Sequence, residues 1–152
     1  MEALDPQIRE KIVKFEEFIN FKLKEDLRIL EQQLDKKNTE VLEFQQLKDT
    51  IKVLKENKMD EKGFKTKVDI GQNIFMQAQV DDASKIMLNV GLGYYVEFTL
   101  DEALVLIDVR IKIFNKQIQN LKTEVAKTNA HIKCMLIGIR ELQGLDPKTI
   151  DD

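Results

Sequence analysis

The chain has 152 residues, 34% of them charged and 43% hydrophobic, with a formal net charge of −3. This slight acidic excess argues against direct, phosphate-driven binding of nucleic acid, which carries a basic surplus. Cys134 is the sole cysteine, which excludes an intrachain disulfide and a cysteine-based zinc site.

The length predicts one domain over residues 1–152. The charged fraction lies above the usual quarter, as long solvated helices require. The opening Met1–Pro6 stretch is acidic and lacks the apolar run of a secretory signal. No segment nears the roughly 20 apolar residues that span a bilayer. A soluble, intracellular protein with no membrane partner is expected.

The first element is a helix over about 6–59. Asp5 suits the cap and Pro6 the first helical position, where its missing N–H costs nothing. Apolar residues recur at Ile8, Ile12, Phe15, Ile19, Leu23, Leu27, Leu30 and Leu34, then Val41, Phe44, Leu47, Ile51 and Leu54, with Lys37 as the one polar member. Each step is three or four residues, with phase slips near Leu23 and Leu47, so the pattern is a coiled-coil seam with stutters. Gly63 is the expected terminator.

The middle, about 66–98, has period two. Ile74, Met76, Ala78 and Val80 alternate with Phe75, Gln77 and Gln79. Ile86, Leu88 and Val90 alternate next, then Tyr94, Val96 and Phe98. Four strands in two hairpins follow, turning at Gly71–Asn73 and Gly91–Gly93 and joined through Asp81–Ser84.

The last element is a helix over about 100–143. Thr99 and Glu102 have capping-box spacing. The seam of Leu100, Leu104, Ile107, Ile111, Phe114, Ile118, Leu121, Val125, Thr128, Ile132, Met135, Ile139 and Leu142 alternates steps of four and three without a break. Gly144 and Pro147 suit its end. At ~1.5 Å per residue the two helices would run roughly 80 and 65 Å, far beyond a compact globule of this size. The predicted fold is therefore mainly α with a small β portion. A long antiparallel coiled-coil hairpin carries two β-hairpins between its helices.

Two small hairpins cannot enclose themselves, and their edges invite another chain. Ile70, Ile74, Phe75, Met76, Tyr94, Tyr95, Val96 and Phe98 are the candidate assembly residues. Ile8, Ile12, Phe15, Ile139, Leu142 and Leu145 lie where the helix pair can splay, and form a candidate contact for clients or partners. The lysine-rich run Lys48, Lys52, Lys55, Lys58, Lys62, Lys65 and Lys67 is read as a solvated face, with docking of an acidic partner as the sharper alternative. His131 and Cys134 fall on outer helix positions and are expected to be solvated. Gly91 and Gly93 lack the third glycine and the helix of a dinucleotide loop. Asp81 and Asp82 lack the ligand count of a calcium loop. No catalytic, cofactor-binding or metal-binding residue is expected, and the chain is not read as an enzyme.

Several runs resemble the alpha class of prefoldin chaperone subunits: Val68–Gly71, Val80–Ile86, Gly91–Glu97 and Thr99–Leu104. The runs Phe15–Ile19, Asp26–Arg28, Ala130–Ile132 and Gly138–Leu145 are similar to a divergent member of that class. The resemblance covers about 13–145. It implies a prefoldin-alpha-like fold in a hetero-oligomer with other alpha and beta subunits, holding non-native protein clients and passing them to a chaperonin. For the divergent member it also implies work on the assembly of large complexes, contact with transcription regulators, and a cytoplasmic and nuclear location. Two further readings are a transcription cofactor docking through its coiled coil and a self-associating structural coiled coil.

Overall fold

The computed structural model describes residues 5–145. The expected helix stop at Pro147 lies outside them. Helix α1 spans Pro6–Glu17, with the Asp5 carboxylate accepting from the Gln7 N–H at 3.0 Å as a cap. A π-helical turn, Phe18–Leu23, leads into α2, Lys24–Glu56, and the Lys24 N–H reaches the Ile19 carbonyl five residues back. From Phe15 the seam takes three successive four-residue steps to Leu27, one residue more than a four-three-four pattern allows. The wider π turn holds that extra residue, so Ile12, Ile19 and Leu23 are all buried. The second slip, near Leu47, is absorbed within continuous α-helix.

Helix α2 stops earlier than the glycine suggests. Lys58 turns left-handed at φ 52°, a one-turn α3 follows at Met59–Lys62, and Gly63 ends that turn at φ 68°. Strands β1, Phe64–Asp69, and β2, Phe75–Val80, form one antiparallel pair; β3, Lys85–Gly91, and β4, Tyr94–Thr99, form another. Both turns place two central residues at positive φ, Gln72–Asn73 and Leu92–Gly93, the hand that matches strand twist. The capping box opens α4, Leu100–Leu142: the Thr99 N–H donates to Glu102 at 3.0 Å, and the Glu102 N–H to the Thr99 hydroxyl at 3.4 Å. Gly144, at φ 72°, closes α4, and the Leu145 N–H bonds back to Arg140 at 3.0 Å.

The described residues fall in two compact units. One comprises Thr39–Asn115; the other runs up to Asn38 and resumes at Lys116. In the first, Ile51, Leu88, Leu100, Ala103 and Ile107 are buried, with Phe44, Leu47, Leu54, Ile86, Phe98 and Ile111 packed on them. Ile51 and Ile107 are wholly enclosed, and such burial contributes about 1.5–3 kcal/mol per side chain. Ion pairs mark the register. Lys55 meets Asp101 and Lys48 meets Asp108, so seven residues back along α2 match seven forward along α4. The helices of this unit are thus antiparallel in heptad register. The Phe44 and Phe114 rings, 5.7 Å apart and tilted by 42°, continue it.

In the second unit Ile12, Ile19, Leu23 and Ile139 are buried, with Ile8, Ile132, Met135 and Leu142 against them. This end is zipped rather than splayed. A groove of about 440 Å³ opens further along, between Gln33, Lys36 and Lys37 of α2 and Gln117, Asn120 and Leu121 of α4. Lys37, the polar member of the seam, is one of the groove's lining residues.

Candidate functional site

The second hairpin rests on its helices by one face. Ile86, Leu88 and Phe98 point to the core, while Met87 and Tyr95 on the alternate positions are exposed. Val90 is the unmatched residue of a bulge between Asn89 and Gly91, and the Arg110 guanidinium of α4 donates to its carbonyl. That bond ties the hairpin to α4. The first hairpin has no buried residue at all. Register separates its faces: Phe64, Val68, Met76, Ala78 and Val80 share one, and Lys65, Lys67, Gln77 and Gln79 the other. Each sheet has two strands, so all four strands are edge strands with one side unpaired.

The candidate assembly residues spread over this surface. Ile70 and Ile74 flank the first turn just outside the strands, and the Ile70 N–H donates to the Ile74 carbonyl at 2.9 Å. Phe75 stands on the polar face opposite Asp69. Met76, Tyr94, Tyr95 and Val96 are exposed, as are Ile70, Ile74 and Phe75; Phe98 is half-buried against the helices. Leu92, which the sequence reading passed over, is 98% exposed at the second turn.

At the helix end the candidate residues divide. Ile12 and Ile139 are buried, Ile8 and Leu142 half-buried, and Phe15 and Leu145 exposed. Sequence reasoning missed Val13, Phe18, Phe21 and Leu136, which are exposed, Phe21 to 80%. Each is legible in the sequence as an apolar side chain that falls off the seam.

Ionisable groups here do structural work. Thr99's backbone N–H and then its hydroxyl hold the Glu102 carboxyl below its ordinary range. Hydrogen bonds from Lys48, Arg28 and Ser84 do the same for Asp108, Glu25 and Asp82. His131 and Cys134 are exposed. Among the described residues no cluster of His, Cys, Asp and Glu could hold a metal ion. No helix among them is long and apolar enough to cross a membrane.

Residues 23–144 match the family model for prefoldin subunits. The chain belongs to the prefoldin subunit family. Its relatives include a UXT homolog of Nematostella vectensis, 38% identical over 91% of this chain and 87% of that one. Protein UXT of Homo sapiens is 36% identical over 90% and 85%. The prefoldin alpha subunit of Pyrococcus horikoshii is more distant, at 29% over 80% of each chain. A filamentous prefoldin of Methanocaldococcus jannaschii, solved by cryo-electron microscopy, shares the fold with a TM-score of 0.57 at 17% identity, covering 87% of this chain and 98% of the other.

The chain is therefore a chaperone-type, non-enzymatic prefoldin subunit whose relatives at the highest identities above are UXT proteins. The family's fold accounts for the order found here: long helix, two small antiparallel hairpins, long helix.

Proposed function

We propose that this prefoldin subunit works in a prefoldin or prefoldin-like hetero-oligomer that holds non-native chains or assists the assembly of protein complexes. One observation carries the reading: two separate two-stranded sheets leave edges and apolar side chains without partners among the described residues. Strands of neighbouring alpha- and beta-class subunits complete them. Tyr94, Tyr95, Val96, Met76, Ile70 and Ile74 supply the apolar contact, and Phe98 fixes the hairpin that presents it. Non-native clients meet the helix end at Phe15, Leu145, Val13, Phe18 and Phe21 through many weak contacts, without ATP or metal. Work in the cytoplasm and nucleus, beside a chaperonin or transcription regulators, fits the relatedness to UXT proteins.

Val96→Asp tests assembly. Val96 is 42% exposed but pairs with buried Leu88, on the face that Ile86 and Phe98 also share, so loss of partners bears on the joint only where the fold is kept. The variant stays soluble and helical by circular dichroism and loses prefoldin-type subunits on co-purification. Unchanged stoichiometric recovery of those subunits would sink the reading.

A further inference from the structure

The first hairpin carries a charge pattern that general edge pairing does not explain. The Ile70–Ile74 pair is hydrogen-bonded, and bonded and non-bonded pairs alternate along an antiparallel ladder. With the observed register, Phe64, Thr66 and Val68 bond to β2, so Lys65, Lys67 and Asp69 turn their N–H and C=O groups to the open edge. Lys62 and Lys65 line one surface cleft of about 210 Å³, and Lys65 and Lys67 line another of about 290 Å³. None of these three ammonium groups has an ion pair among the described residues, in contrast to Lys48 and Lys55. Asp69, two residues beyond Lys67, accepts from the Gly71 N–H at 2.8 Å, and Asp81, which lines the first cleft, accepts from the Gln79 amide at 2.8 Å.

We infer that the β1 edge takes an extended acidic segment of a partner chain, added as a further strand with carboxylates two residues apart facing Lys65 and Lys67. Backbone bonds supply the attachment, and the period of two supplies the charge register. The occupant is peptide rather than nucleic acid, because the open row of N–H and C=O groups pairs with a peptide backbone. This deepens the reading of the hairpins as assembly elements and rests on it.

The test uses the full chain and a fluorescent decapeptide of alternating glutamate and threonine, followed by anisotropy. Binding is expected, falling steeply as salt rises from low to physiological strength. The double variant K65Q/K67Q weakens it about tenfold, and K65E/K67E shifts preference to the lysine–threonine counterpart. A peptide with two consecutive prolines at its centre fails to bind, because one of the two always removes an N–H that faces β1. Equal binding to K65Q/K67Q, full binding of the proline peptide, or displacement by an equimolar single-stranded oligonucleotide would each overturn the inference. Loss of subunits in Val96→Asp with peptide binding unaffected by K65Q/K67Q defeats this inference alone. Retained subunits in Val96→Asp with peptide binding dependent on Lys65 and Lys67 defeat the assembly reading alone.

Discussion

Gly63 shows how one residue constrains the start of the β portion. It sits at φ +68°, and a Cβ there would lie 2.4 Å from the Val80 carbonyl oxygen. Both the backbone and the space demand glycine. Gly63→Ala should destabilise the fold by about 1–3 kcal/mol, measured by urea unfolding followed by far-ultraviolet circular dichroism; an unchanged midpoint would refute the steric account. Glu102 offers a pH handle. Its folded carboxyl titrates below the ordinary range because Thr99 donates to its charged form. A depressed folded pKa means stability present above the unfolded value and lost as pH falls through the folded one. The melting-temperature advantage of the wild type over Glu102→Gln should therefore shrink between neutral and acidic pH. A pH-independent difference would rule out the carboxylate as its source. Asp5, Pro6, Thr99 and Glu102 were legible in sequence because caps act within four residues. Lys58 was not, because lysine carries no preference for the left-handed turn it adopts.

The π turn is the element whose cause is simplest to test. Deleting Asn20 reduces the Ile19-to-Leu23 step to three residues and restores alternate steps of four and three from Ile8 to Leu34. The deletion should be tolerated, with helicity kept and the melting temperature close to wild type. Deleting Asn115 from the strictly spaced α4 shifts every later seam residue and should lower the melting temperature by several degrees or more. Equal damage from both deletions would show that the π turn does not serve the seam. The first phase slip was visible in sequence; its resolution as a π turn, and the absorption of the second slip within α2, depended on packing. Hairpin turns were read correctly at Gly71–Asn73 and Gly91–Gly93, since glycine and asparagine accept positive φ at little cost.

For the molecule as a whole, the exposed aromatic residues of the helix end give the separable test of client holding. Ile139 is buried, so a serine there would damage the coil as well as any contact. Phe18 and Phe21 are exposed, and Phe18→Ser with Phe21→Ser leaves the seam intact. The double variant should suppress aggregation of a denatured client about half as well or less in light scattering, with assembly unchanged. Full suppression would remove these side chains from the proposed client surface.

The sequence by itself determined the order of elements, both helix caps at Asp5 and Thr99, the turn positions and the family. Those depend on spacing along the chain and on conformational preferences of single residues. Only the tertiary structure decided which apolar residues close on each other and which stay in water. Ile12 and Ile139 entered the core of the helix end while Phe18 and Phe21 remained outside, and Phe98 packed inward while Tyr95 did not. Burial depends on what the facing element presents at that height, and periodicity along one strand or helix carries no record of its neighbour.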